Sequence, residues 1–278
     1  MSQPQNELVE ILDLEQIELN LYRGLTPARQ GQRIYGGQVV AQALTAAYRT
    51  IEGRLCHSMH AYFIRPGDPS IPILFQVDQA RDGGSFSVRR VTAIQNGKQI
   101  FNLAASFQVP EEGFEHQDRA PDVTPPEDLL NEEQLREADG IPPRDRDWPV
   151  EVRPIDPQRR DQTEPMAPLY NVWFKARQSV GPDVAVNQCA LAYGSDMSLL
   201  DASLRPHPVP HGELQVASLD HALWFHRPSD FSDWHLYVQD SPSASGGRGF
   251  NRGSIFDRQG RLVASATQEA LIRHRPPR

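Results

Sequence analysis

Two cysteines in 278 residues, Cys56 and Cys189, are too few and too far apart in the chain to argue a disulfide scaffold or a zinc site. No stretch approaches the roughly 18 apolar residues that a membrane-spanning helix needs. The opening Met1-Ser2-Gln3-Pro4-Gln5-Asn6-Glu7 has neither the basic nor the apolar segment of a secretory signal. The expectation is a cytoplasmic protein. Positive charge is in deficit: the formal net charge of −8 argues against a nucleic-acid-binding surface. A phosphate-bearing small ligand stays open, because a few local arginines suffice to hold one. No Gly-x-Ser-x-Gly elbow occurs, which argues against a serine hydrolase of the α/β-hydrolase kind. Gly247-Arg248-Gly249-Phe250-Asn251-Arg252-Gly253 is glycine-rich but misses the dinucleotide spacing and sits among strand-like runs. His57-x-x-His60 and His207-x-x-x-His211 have metal-like spacings without an accompanying cysteine or carboxylate pattern, so no metal is expected. The basic end Arg273-His274-Arg275-Pro276-Pro277-Arg278 is too short to anchor a membrane and reads as a solvated tail.

What is present is enough apolar material for a real core, with 38% hydrophobic and 23% charged residues, in one large domain or two ordinary ones. The organising stretch is Ile34 to Tyr48. Apolar residues fall at 39, 40, 43, 44, 47 and 48, a helical stripe, and Gly36-Gly37 stand where the helix opens. Its other positions are small or uncharged (Ala41, Gln42, Thr45, Ala46), so the helix can be buried on most sides. Ahead of it, residues 7–20 read as a short amphipathic helix and its exit. After it come strand-like runs Cys56–Ile64, Pro72–Ala80, Ser85–Gln95 and Gln99–Val109, separated by turn signals. Asn96-Gly97 between two of them predicts a type I′ hairpin.

From Pro110 to about Pro168 proline and charge dominate, which predicts a surface linker with a short helix near 127–138. The first half then recurs. Tyr35-Gly36-Gly37-Gln38 is answered by Tyr193-Gly194-Ser195-Asp196, which is expected to open a second apolar-striped helix through Met197, Leu199, Leu200 and Leu204. Tyr62-Phe63-Ile64-Arg65-Pro66-Gly67-Asp68 is answered by Trp224-Phe225-His226-Arg227-Pro228-Ser229-Asp230, and Asn96-Gly97-Lys98 by Gln259-Gly260-Arg261, at nearly constant separation. The expected organisation is a repeat over 1–110, a linker over 111–168 and a second repeat over 169–278.

These strings, with Ser87-Val88-Arg89-Arg90-Val91 and Leu219-Asp220-His221, resemble the acyl-CoA thioesterase II family over nearly the whole chain. The resemblance implies an α+β double hotdog, two repeats of a central helix wrapped by antiparallel sheet. It also implies hydrolysis of acyl-CoA to free fatty acid and coenzyme A without cofactor, and assembly into a homo-oligomer, dimer or tetramer.

Read by themselves, the candidate site residues have ordinary explanations. Asp196 at the start of an apolar helix is a capping acid. Ser218 is an edge or turn hydroxyl, and Gln268 in the closing strand faces solvent. The resemblance implies more: in that family an aspartate, a hydroxyl residue and a glutamine hold and activate the attacking water, and the matching positions are Asp196, Ser218 and Gln268. The family commonly has threonine where Ser218 stands; serine keeps the hydroxyl without the methyl that restricts its rotamer. Gly36 and Gly37 are the candidates for oxyanion N–H donors, since glycine permits close approach at a helix start. A helix start would lower the pKa of Asp196 while burial would raise it, and the sequence leaves that contest open. Arg65, Arg89, Arg90, Lys98, Arg227, Arg248 and Arg252 lie in or beside strands, and none is assigned to coenzyme A. The alternatives are an enoyl-thioester hydratase on the same fold, for which Asp220-His221 is the nearest Asp–His pair, and a non-catalytic acyl-CoA or lipid-binding module.

Overall fold

The computed structural model of the chain describes residues 6–27, 32–142, 148–157, 164–209 and 213–275. The first half runs α1 (Glu7–Leu12), β1 (Glu15–Glu18), β2 (Leu21–Gly24), α2 (Gly36–Tyr48), β3 (Leu55–Phe63), β4 (Ile73–Asp82), β5 (Phe86–Gln95) and β6 (Lys98–Gln108). A 3₁₀ turn (Pro126–Asp128) and α3 (Glu132–Ala138) follow. The second half is β7 (Val150–Pro154), β8 (Leu169–Ala176), α4 (Val184–Ser195), α5 (Asp201–Leu204), β9 (Leu214–Ser218), β10 (Asp220–Phe225), β11 (His235–Ser245), β12 (Arg248–Asp257) and β13 (Leu262–His274).

All strand pairs are antiparallel, in one 13-stranded sheet ordered β1-β2-β4-β5-β6-β3-β10-β13-β12-β11-β8-β7, with β9 beside β13. The order is a palindrome of two equivalent halves: β3 answers β10, β6 answers β13, β5 answers β12, β4 answers β11. The halves join where β3 pairs β10, with Asp220 opposite Tyr62 and Trp224 opposite Ser58. This is the expected α+β double hotdog, one helix per repeat inside a shared sheet. The β5–β6 hairpin closes through Asn96 (φ 48°) and Gly97 (φ 67°), both left-handed, as the type I′ signal predicts.

Both helices are swallowed by the sheet. Ten residues of α2, Gly37–Leu44, Ala46 and Ala47, are buried, which a helix with no charged side chain tolerates. In α4, Asn187 through Ser195 are buried. The helices lie side by side and antiparallel. At one end the hydroxyl of Tyr48 donates to Gln188, whose amide donates to the carbonyl of Cys56 at 3.0 Å. At the other, the Tyr35 hydroxyl donates to the carbonyl of Tyr193 at 2.9 Å, and the two rings meet edge to face at 5.0 Å.

Three expectations are corrected. Tyr193-Gly194-Ser195-Asp196 closes a helix instead of opening one: α4 ends at Ser195 and Asp196 is its C-cap. The helix starts at the Asp183 N-cap, whose carboxylate accepts the N–H groups of Ala185 and Val186 at 2.8 and 3.1 Å. Met197–Leu204 holds only the single turn of α5. The stretch expected as linker also contains β7, an edge strand paired to β8. Residues 143–147 and 158–163 of that stretch, His211 and the last three residues of the basic tail lie outside the described residues.

The helix contact depends on the glycines. A Cβ on Gly37 would clash with the carbonyl oxygen of Tyr193, which is backbone and cannot turn aside, and one on Gly36 would stand 2.7 Å from Asp196 Oδ2. Gly37→Ala is expected to lower stability by about 1–3 kcal/mol, the usual cost of forcing extra volume into a packed interior. Thermal melting followed by circular dichroism checks this, and an unchanged Tm would contradict the contact.

Candidate active site

Asp196, Ser218 and Gln268 converge from three elements. Asp196 leaves the end of α4 and is 7% exposed; Gln268 in β13 is fully buried, contrary to the solvent-facing position expected of a strand glutamine. Ser218 ends β9, opposite Ala270. Just beyond it the chain changes neighbours. Leu219 donates its N–H to the carbonyl of Glu269 (2.9 Å) and accepts the N–H of Phe63 (3.0 Å), after which β10 begins and pairs with β3. On β13, residues 264–267 pair with β10 and residues 270–274 with β9, so Gln268 sits at the hand-over. The Asp220 carboxylate accepts the Glu269 N–H there at 2.6 Å. The change of strand partner falls where the side chains of Ser218 and Gln268 meet.

The amide nitrogen of Gln268 donates to Ser218 Oγ at 2.7 Å, and Ser218 Oγ stands 3.5 Å from Asp196 Oδ1. The second separation is loose; catalytic contacts of this kind commonly tighten only once substrate is bound. The N–H of Gly37, at the free start of α2, and the Gln268 side chain both favour the charged form of the Asp196 carboxylate. Asp196 is therefore held at a helix start after all, but that of the other repeat's helix. Burial raises its pKa above the ordinary carboxylate value, against the opposing charge of His221 and the hydrogen bonds from Gly37, Gln268 and Ser218. Desolvation wins the contest.

His221 entered the sequence analysis only as half of the Asp220-His221 pair of the hydratase alternative, with no part in the Asp196 site. Its Nδ1 lies 2.7 Å from Gln268 Oε1 and its Nε2 2.9 Å from Ser195 Oγ, with the ring fully buried. The one signal for it is alternation: neighbours on a strand point to opposite faces. Asp220 turns to the Glu269 backbone and His221 to the interior, so they do not form the acid–base pair that the hydratase alternative would use.

A cavity of 380 Å³ opens beside this group. Gly36, Val39, Phe63, Phe101 and Leu219 line it with Ser218, while Arg33 and Arg65, both solvent-exposed, stand on its wall. Of the seven cationic residues singled out in the sequence, Arg65 alone lines it. Arg89 is buried on Thr50 and Asp82, Arg227 bonds the Leu262 carbonyl, Arg248 pairs with Glu269 and Arg252 with Asp240. Arg33, two residues before Tyr35, carried no strand signal. Among the described residues no group of three or more His, Cys, Asp or Glu side chains is placed to hold a metal ion. His57 meets Ser106 and His60 packs edge-on against Trp224.

The chain matches the Acyl-CoA thioesterase family over residues 144–271 and the Acyl-CoA thioesterase N-terminal domain over 26–108. It is 41% identical to acyl-CoA thioesterase 2 of Haemophilus influenzae, across 98% of this chain and 99% of that one. It is 38% identical to human acyl-coenzyme A thioesterase 8, across 96% of this chain and 88% of the relative. Among solved structures it resembles the acyl-CoA thioesterase II TesB2 of Mycobacterium marinum, with a TM-score of 0.82 at 41% identity over 97% and 99% of the two chains.

A raised carboxyl pKa has a consequence for folding. Between the ordinary and the raised value the folded chain keeps a proton on residue 196 that the unfolded chain releases, so this residue's contribution to stability falls as pH rises through that window. Asp196→Asn removes the ionisation. The variant is expected to resist urea better than the parent at pH 8, with the difference shrinking towards pH 4. Paired urea titrations at the two pH values measure it, and a variant less stable at pH 8 would contradict the assigned cause.

Proposed function

Because this chain belongs to the acyl-CoA thioesterase family and hydrolyses acyl-CoA thioesters, we propose that Asp196, Ser218 and Gln268 activate the attacking water. The observation that carries the reading is the convergence of a buried carboxylate and an amide donor on a hydroxyl, Ser218, that lines an apolar cavity. Asp196 takes a proton from a water oriented by Ser218 and Gln268. The water oxygen bonds to the thioester carbonyl carbon, and the carbonyl electron pair moves onto oxygen. Amides at the start of α2 face that charge: Gly36 directly, and Gly37 as its hold on Asp196 slackens when the carboxylate is protonated. Collapse breaks the C–S bond, and the proton on Asp196 goes to the departing thiolate. The raised pKa suits this role, since a base whose pKa lies nearer the operating pH is stronger while still ionised. Every step is carried by groups of this chain.

The cavity's apolar wall supports a fatty acyl group as substrate, and Arg33 and Arg65 support recognition of the phosphate-bearing end of coenzyme A. We further read the protein as a homo-oligomer, which the exposed Tyr62, Leu169 and Phe250 support, and as cytoplasmic, which the two unpaired thiols support. Among the described residues no helix is long and apolar enough to cross a membrane.

Release of free thiol from a panel of acyl-CoAs tests the site. Asp196→Asn is expected to lower kcat by at least about 100-fold, the lower range for loss of a general base. The kcat/KM of the parent should fall on acidification at a pH above the ordinary carboxylate range, since only ionised Asp196 accepts the proton. Near-parental turnover in the variant would remove Asp196 from the mechanism, and no turnover by the folded parent would leave a binding module. For the arginines, Arg33→Ala with Arg65→Ala is expected to raise KM for acyl-CoA about tenfold or more. KM for the same acyl group on pantetheine, which lacks the nucleotide, should stay within about twofold, two lost phosphate contacts being worth about 1.5–3 kcal/mol each before screening. Equal effects on both substrates would reject phosphate recognition.

A further inference from the structure

We infer that His221 is a positioning residue that fixes which end of the Gln268 amide faces the reacting water. This rests on the reading of Asp196, Ser218 and Gln268 given above. A glutamine amide has two ends of nearly equal shape and opposite hydrogen-bonding character, an acceptor oxygen and a donor nitrogen. In the observed orientation the nitrogen serves Ser218 at 2.7 Å and favours the charged form of Asp196, while the oxygen meets His221 Nδ1 at 2.7 Å. Turned over, the oxygen would confront the Asp196 carboxylate, an acceptor against an acceptor. It would also draw the Ser218 proton to itself and away from Asp196. Nothing in the shape of Gln268 prevents that. An N–H at His221 Nδ1 does, because only the amide oxygen can accept it.

His221 must therefore keep a proton on Nδ1, and its far side is built to allow this. Nε2 lies 2.9 Å from Ser195 Oγ, and the Ser195 hydroxyl also reaches the carbonyl of Ala192 at 3.0 Å. When Nε2 is unprotonated the Ser195 hydroxyl donates to it. When Nε2 carries a proton, it donates to Ser195 Oγ and the hydroxyl turns to Ala192. The first arrangement puts the single proton of the neutral ring on Nδ1, facing Gln268; the second keeps an N–H there only in the doubly protonated ring. Ser195 is itself pinned, its carbonyl accepting the Tyr237 hydroxyl at 3.0 Å at the end of α4. The relay runs from the helix end through Ser195, His221 and Gln268 to Ser218 and Asp196, and its members are 0–7% exposed except Ser218. Interior water is thus kept from substituting for a missing donor.

The test uses three forms of the full-length protein beside the parent. His221→Leu removes the donor. His221→Asn returns an N–H near the Nδ1 position, and Asp196→Asn reports on the underlying site. His221→Leu is expected to lose about 100-fold in kcat, on the scale of a lost transition-state donor, with KM for acyl-CoA within about threefold. His221→Asn should recover at least tenfold of that loss. A merely structural role would not give that split or that rescue. Selective ¹⁵N labelling of histidine reads the state directly in the parent: the resonance lost in His221→Asn should be that of a protonated Nδ1. An Nδ1 without a proton, or folded His221→Leu with parental kcat, would overturn the inference while Asp196→Asn remained inactive. Full activity in Asp196→Asn would instead defeat the site itself. Should His221→Leu fail to fold, the ¹⁵N state and the Asn variant decide.

Discussion

The close approach of the start of α2 to the end of α4 is the contact on which the rest depends. Two helices laid antiparallel bring the positive end of one against the negative end of the other, a favourable arrangement in a dry interior. Gly36 and Gly37 allow it, because side chains there would meet Asp196 and the Tyr193 carbonyl. The residue just past the end of α4 then falls in front of the free N–H groups of α2. Neither repeat could make this junction alone. Joining β3 to β10 in one sheet holds the two helices in register and brings Phe63 of the first half against Leu219 of the second.

At that junction the chain places a carboxylate where it costs stability. Desolvation outweighs the donors around Asp196, and the group is held poised above the ordinary carboxylate range. Burying an acid is unfavourable unless it is paired or hydrogen-bonded. Here the bonds come from an amide at a helix start, a glutamine and a serine, none of them a positive charge in direct contact, so the carboxylate stays basic. A salt bridge to arginine would have stabilised the fold more and the proposed base less. Strain of this kind is expected where function and stability compete. The polar relay through His221 and Ser195 is fully inside the protein, so its orientation is set by hydrogen bonds to fixed protein groups.

Much of this was legible beforehand, and the failures have physical reasons. The α2 stripe, the four strands after it and the Asn96-Gly97 hairpin follow from periodicity and from the left-handed preference of those two residues. The site residues Asp196, Ser218 and Gln268 were placed by resemblance, and the structure brings all three together. The helix carrying Asp196 was misread because α4 is buried all round and so has no stripe to detect. The weaker pattern at Met197–Leu204 stood out instead, and the true start signal, Asp183 after Pro182, was passed over. Tyr35-Gly36-Gly37 and Tyr193-Gly194-Ser195 are alike in letters and meet in space, but as the opposite ends of two helices and not as equivalent starts. β7 sits in proline-rich chain whose partner, β8, is distant information. Gln268 looked solvent-facing because alternation cannot say which face of a strand meets a helix. His221 was visible only as the neighbour of an aspartate, and its role depends on contacts 26 and 47 residues away.

The most direct measurement is a crystal structure of the protein with an unreactive acyl-CoA analogue in which a methylene separates the sulfur from the carbonyl. The account predicts a water within hydrogen-bonding distance of Asp196, Ser218 and Gln268, facing the analogue's carbonyl carbon, with the carbonyl oxygen at the start of α2. An analogue whose carbonyl carbon rests against the Asp196 carboxylate with no space for water, or which binds away from this junction, would contradict it.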